Sequence, residues 1–393
     1  MHSDAAPGAA PTPGNVDKYT WHGLLRAVLR RPMSLADGLQ RERQDNYLLL
    51  RHIAAALLIY SHSYALATAA RGESDIVAML LPGFYGGKVA VLLFFAISGF
   101  LVTGSYLRHP NLLRFVGARA LRIYPAYVIC LVLSLLATGL WFTRLAPAEF
   151  FGTHEAWSYL FHNLGLTGLH YTLPGAYDAS GYPGVVNGSL WSLALEARLY
   201  LYLAVLALCG FFRFRHFAAL VLLGSVIVVL ASWSHLAPDT EGKRALTCVF
   251  ACTAAAACAA RFVPVSTRVL LALGVVTWLL RDTAIAYALT ILCLGYFTFW
   301  FAYRLPAIPL RLPGDYSYGL FLYGFPVQQA IVQIDPGIGA LPLTAAALFV
   351  ALVLAVLSWH VVERRALDLK RTRSKTIEDM KANQHGLAAH AKD

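Results

Sequence analysis

The hydrophobic pattern divides the chain into long apolar runs separated by short polar connections. Ten such runs can be drawn, at about 48–68, 87–107, 122–142, 191–210, 217–233, 244–260, 268–281, 284–303, 316–333 and 341–362. Most reach the ~20 residues a helix needs to cross a bilayer, and the seventh is short. The first run, LLLRHIAAALLIYSHSY from Leu48 to Tyr64, carries Arg51 near one end and His62 near the other. A helix would separate them by about 16 Å at ~1.5 Å per residue. Charged or titratable groups in such a run either sit near the membrane boundary or face the inside of a bundle and do chemistry.

One connection is long. Residues 143–190 hold His154, His162, His170, Asn163 and Asn187 among several Gly and Pro. Loops of this length are functional or disordered. Trp157, Tyr159, Leu160 and Phe161 suggest that part of it re-enters or lies on the membrane. Ahead of the first run, residues 1–17 are rich in Ala, Pro and Gly and read as disordered. In residues 18–46, Trp21, Leu24, Leu25, Val28 and Leu29 fall at helical spacing beside Arg26, Arg30 and Arg31. They form either a basic amphipathic helix on an anionic membrane surface or a solvated basic tail. Residues 1–46, a bundle over 47–363 and a basic tail over 364–393 are therefore the expected segments.

Composition agrees with a polytopic membrane protein. The chain has 393 residues, 58% hydrophobic and 13% charged, with a mean hydropathy of +0.58. Soluble domains carry about 25% charged residues. The net charge of +11 would suggest nucleic acid in a soluble protein, but here Lys and Arg concentrate in alternate connections. Only Arg71, Lys88, Arg144, Arg198, Lys243, Arg244 and Arg281 fall on the other side. By the positive-inside rule both termini are cytoplasmic and the 143–190 loop faces out. The fold expected is an all-α polytopic membrane protein of about ten transmembrane helices. The six cysteines lie in apolar stretches and read as small buried hydrophobes. No His or carboxylate joins Cys248 and Cys252 in metal-site spacing, so no metal is expected.

Three groups could carry chemistry. On the expected topology His62 and Glu196, the latter in NGSLWSLALEARLY, lie at similar depth in the outer half of the membrane. A carboxylate that orients a histidine makes a general base. A boundary pair of Glu196 with Arg198 is the alternative. At the opposite level, Arg119 and Arg122 share a helix face in RFVGARALRIYP and sit with Arg51. Arginines there either clamp phosphates or mark topology. Ser98 in FFAISGFL could be a nucleophile, but the sequence shows no base beside it.

Six motifs occur in one order: Arg51 with His62, FFAISGFL (94–101), RALRIYP (119–125), VNGSLWSLALE (186–196), GDYSYGLFLYGFPVQQ (314–329) and SWHVVERRAL (358–367). Together they resemble the membrane acyltransferase 3 family, O-acyltransferases of bacterial surface and exported polysaccharides, over roughly residues 45–370. The LPG…VNGSLW loop (173–191) resembles the stand-alone branch that modifies exopolysaccharides, lipopolysaccharide and nodulation oligosaccharides. The resemblance implies that His62 is the catalytic base and that Arg119 and Arg122 help bind the acyl donor, acetyl-CoA. It implies a bacterial inner-membrane protein acting on a glycan or lipid-linked glycan, alone, as a homo-oligomer or with polysaccharide-synthesis proteins. The chain departs from the family at Gly324, where many members carry a histidine before Phe-Pro. A glycan or lipid-linked-intermediate flippase is the rival from another class. Against it, no inverted repeat or pair of matching broken helices is visible.

Overall fold

The apolar runs become helices almost where the pattern places them. In the computed structural model, residues 31–40, 45–67, 72–231, 241–283, 285–308 and 312–368 are described. The segment 1–17, the amphipathic positions Trp21 to Arg30 and the tail beyond Asp368 lie outside them.

Ten helices of 13 residues or more occur among the described residues: α2 (Tyr47–Leu66), α4 (Gly86–Arg108), α5 (Leu112–Ala137), α8 (Leu190–Leu208), α9 (Arg215–Ala231), α10 (Glu241–Cys258), α11 (Thr267–Leu279), α12 (Ala286–Arg304), α13 (Ser317–Ile334) and α14 (Ala340–Ser358). Four are shorter: α1 (Leu35–Gln40), α3 (Ile76–Leu80), α6 (Pro147–Gly152) and α7 (His154–Leu164). A π-helical turn at Thr138–Phe142 follows α5, and another at Trp359–Glu363 follows α14. Two-residue strands, β1 (Met33–Ser34) and β2 (Pro264–Val265), pair antiparallel with Met33 opposite Val265.

By length and composition, Gly86–Arg108, Leu112–Phe142, Leu190–Leu208, Ala286–Arg304 and Ala340–Asp368 can each cross a membrane. The chain is a multi-pass α-helical membrane protein. The other long helices are shorter or, like α2 and α13, interrupted by polar residues.

Two large hydrophobic cores fill most of the bundle, beside a smaller cluster around Leu66, Phe325 and Leu343. One joins α4, α9, α10 and α12, with Phe100, Phe250 and Leu92 fully buried. The other joins α5, α13, α14 and the 143–190 loop around Tyr127, Tyr159 and Tyr177. Helices α2 and α8 contribute side chains to both, so the seam between the cores runs along them. Close backbone contact makes the first core possible. A Cβ on Gly99 would stand 2.3 Å from the Phe250 carbonyl oxygen, so only glycine lets α4 lie against α10 there.

The long loop is built into the fold. Gln329 Nε2 donates to the carbonyls of Tyr182 (3.1 Å) and Val185 (2.5 Å), and Ala179 N–H donates to Gln333 Oε1. Gly181 N–H bonds the Leu66 carbonyl at the end of α2. Asn187 Nδ2 reaches the Leu322 carbonyl (3.0 Å), only five residues into α13. The loop thus dips into the bundle before α8 starts. Not every cysteine is buried as expected: Cys209, which caps α8, is exposed.

Candidate active site

The seam holds two cavities in series. The first, of about 650 Å³, is walled by α2, the N-terminal turns of α4, α8 and α10, and the loop. His62, Tyr85, Lys88, Tyr171, Trp191 and Lys243 line it. The second, of about 120 Å³, lies toward the other end of α2 and is lined by Arg51, Ser98, Arg119, Arg122, Glu196 and Tyr200. Val91, Ser192 and Phe321 belong to both walls, so the two meet there.

His62 is held by its backbone and by packing, not by hydrogen bonds to its ring. Gln328 Nε2 donates to the Ile59 carbonyl and the Ser63 hydroxyl, each at 2.7 Å, fixing the turn that carries His62. On the other flank, Ser61 Oγ donates to Asp75 Oδ2 (2.6 Å), which also accepts from Gly86 N–H (2.9 Å). Asp75 therefore ties α2 to the start of α4. Burial opposes ionisation of Asp75, but the Ser61 hydroxyl and backbone N–H donors hold its carboxyl below the usual range. Phe325 meets the His62 ring edge-on at 5.2 Å. A Cβ on Gly188 would lie 2.8 Å from Phe325, so that glycine in VNGSLW makes room for the ring that braces His62. Among the described residues no side chain hydrogen-bonds the His62 imidazole, which lines the cavity.

Glu196 is elsewhere. Ser98 Oγ donates to Glu196 Oε1 at 2.8 Å, and the Tyr200 hydroxyl donates to the same oxygen. Glu196 lines the second cavity with the three arginines, while His62 lines the first. The similar depth expected from sequence is corrected by the dip of the loop. Gly188 already lies at the level of Phe325 and His62, and Glu196 is eight residues further along α8, about 12 Å at ~1.5 Å per residue. The structure does not bring His62 and Glu196 together. Nor does it form the alternative pair: Arg198 is exposed, and no ion pair joins it to Glu196.

The arginine end is heavily cross-linked. Asp315 Oδ2 accepts from Arg51 Nη1 (2.7 Å) and Arg122 Nη2 (2.8 Å), and Glu363 Oε2 accepts from Arg122 Nη1 (3.1 Å). Ser317 donates to Asp315, and Ser358 to Glu363. Burial opposes ionisation of Asp315, yet the two guanidinium groups and Ser317 outweigh it and hold the carboxyl well below the usual carboxylate range. Each guanidinium has five N–H donors, so Arg51 and Arg122 retain some for a ligand. Arg119 forms no ion pair among the described residues; its guanidinium lies 5.8 Å from the Tyr200 ring centroid.

Asp315, Glu363, Ser98 and Tyr200 were not picked out as site groups by sequence reasoning, apart from Ser98 as an unsupported nucleophile. Each sits inside or beside one of the six motifs, and motif membership was the available signal. At Gly324, a Cβ would come within 2.7 Å of Ile59. At this position the chain packs α13 directly on α2. No group of three His, Cys, Asp or Glu able to hold a metal occurs among the described residues.

Comparison with known proteins gives this architecture a family. Residues 47–241, which carry α2, α4, α5, the loop and α8, match the acyltransferase domain of the acyltransferase 3 family. The chain is 29% identical over 335 residues to a protein named O-acetyl transferase from Shigella phage Sf6, covering 81% of this chain and 94% of that protein. It is 35% identical over 201 residues to nodulation protein 10 of Rhizobium leguminosarum bv. viciae, covering 48% of this chain and 50% of that protein. No solved structure matches it. Residues 47–241 are thus an acyltransferase domain of the acyltransferase 3 family, and with the likeness to an O-acetyl transferase over most of the chain they identify the protein as an O-acyltransferase.

Proposed function

We propose that the protein transfers an acetyl group from acetyl-CoA, bound at the cytoplasmic end, to a hydroxyl of an exported or cell-surface glycan, or its lipid-linked precursor, presented at the outer end. The observation that carries this reading is the pair of cavities in series along α2, one ending on arginines and the other on His62. The charge pattern favours ten spans with both termini inside, in a bacterial cytoplasmic membrane.

The donor's phosphates meet Arg119 first, with Arg51 and Arg122 adding the donors left over from Asp315 and Glu363. The acyl-pantetheine arm lies along the narrow second cavity, past Ser98, Glu196 and Phe321. The acceptor enters the wide first cavity under the loop. His62 takes the proton of its hydroxyl as the oxygen attacks the thioester carbonyl carbon. The C–S bond then breaks and the imidazolium returns the proton to the departing thiolate. Proton transfer by a positioned base is worth about 10²–10⁴ in rate. Glu196 acts on the donor side, fixed by Ser98 and Tyr200, and does not orient His62.

The test is His62→Ala in a host making the acceptor polymer, with O-acetyl groups read by NMR. Loss of acetylation at normal protein level is expected. Full acetylation would remove His62 from the mechanism. The mass shift of the surface polysaccharide on deleting the protein identifies the acyl group and the acceptor together.

A further inference from the structure

The place where the two cavities meet is built from three helices. Val91 of α4, Ser192 of α8 and Phe321 of α13 line both cavities. Val91 and Ser192 are buried, and Phe321 is half-buried with its ring against Phe94, edge-on at 6.2 Å. Phe94 and Phe321 each pack against both large hydrophobic cores. A swing of either ring would open gaps on both sides, and a close-packed interior resists that. The ring of three side chains is therefore held in shape.

Its chemistry is apolar. Ser192 Oγ donates to the Ser189 carbonyl at 3.1 Å, so its proton is turned back onto its own helix. Val91 and Phe321 carry no polar side-chain atom. Among the described residues, Arg51, Arg119, Arg122 and Glu196 line the second cavity alone, and no charged side chain lines both. The junction can thus discriminate by shape, with no free hydrogen-bond donor to discriminate by chemistry.

Its depth places it at the acyl group. Gly188 packs on Phe325, the ring that braces His62, and Ser192 stands four residues further along the chain, about 6 Å at ~1.5 Å per residue. A donor held at the arginine end must bring its thioester carbonyl carbon within reach of the hydroxyl that His62 deprotonates. The part that crosses the ring is then the acyl group, before its carbon leaves sulfur for the acceptor oxygen. Past the ring, its tail enters the cavity of about 650 Å³, where added length meets little resistance. Added width meets Val91, Ser192 and Phe321.

We propose that Val91, Ser192 and Phe321 form a selectivity ring that admits straight acyl groups and rejects branched ones of the same carbon count. The inference rests on the acyl-transfer reading of the two cavities.

The test uses inverted membrane vesicles from a host making the acceptor polymer, with each variant in place of the parent protein. Acetyl-, butyryl- and isobutyryl-CoA are supplied in equal amounts, and the ester groups on the polymer are counted by mass spectrometry. Butyryl and isobutyryl are isomers that differ in width. The parent transfers butyryl over isobutyryl by about ten-fold or more, the scale of one misplaced methyl group in an apolar site. Phe321→Ala and Val91→Ala, which open the ring from two different helices, each bring that ratio to within about three-fold. Phe321→Leu, a milder change, moves it the same way by less. A general loss of stability lowers both isomers alike and leaves the ratio where it was. Equal use of the two isomers by a parent that transfers acetyl, including use of neither, or a ratio unchanged in all three variants, overturns the proposal and leaves the acyl-transfer reading standing. Absence of ester transfer from all three thioesters removes both.

Discussion

The two ends of the seam are built in opposite ways. At the arginine end, charged groups are already engaged: Asp315 joins Arg51 to Arg122, and Glu363 holds Arg122 a second time. At the histidine end the catalytic candidate has an unengaged ring, and the cavity in front of it is more than five times larger. On the proposed reading, a phosphate-bearing donor is the same molecule in every turnover, which suits a rigid arginine frame. On the same reading, a bulky acceptor suits a wide cavity walled by loop residues.

Breaking the frame should have the largest effect. Asp315→Ala leaves two partly buried arginines facing each other without their shared carboxylate, at a cost on the order of 3 kcal/mol. Thermal unfolding in detergent should show it as a clear drop in midpoint, and an unchanged midpoint would reduce the frame to incidental contacts. Because the Asp315 pKa is depressed in the fold, its contribution is present above the unfolded carboxylate value of about 3.9 and is lost only as pH falls through the depressed value. Asp315 should therefore stay ionised between about pH 5 and 8.

Removing Arg119, which has no ion pair among the described residues, should have a smaller and more specific effect. Arg119→Ala should weaken acetyl-CoA binding about ten-fold, the scale of a lost charge-assisted hydrogen bond, with little change in unfolding midpoint. Glu196→Gln sharpens the comparison further. As a donor-side group hydrogen-bonded to Ser98 and Tyr200, Glu196 should change the acetyl-CoA KM by less than about ten-fold and leave the pH profile of transfer in place. A shifted profile with kcat reduced a hundred-fold or more would return Glu196 to His62 as its orienting carboxylate.

Much of the architecture was legible in the sequence, because a run of apolar residues long enough to span a bilayer is a helix whatever it packs against. The runs at 87–107, 191–210 and 341–362 differ from α4, α8 and α14 by a few residues at each end. Partners were not legible. Arg122 finds Asp315 across 193 residues of sequence and Glu363 across 241, and no local pattern announces either. Depth failed for a related reason. Counting inward from the end of a run assumes that each helix begins at the membrane surface, and the Asn187 bond to Leu322 starts α8 deep inside. The placement of Ser98 beside a carboxylate was hidden in the same way, since Glu196 is 98 residues further along the chain.

The central claim is a division of labour between the two cavities, and one experiment on purified His62→Ala tests it most directly. Acetyl-CoA affinity and transfer to the acceptor glycan are measured on the same sample. The account predicts affinity within about two-fold of the parent protein and transfer lower by about 10²–10⁴. Undiminished transfer, or loss of acetyl-CoA binding together with transfer, would contradict it.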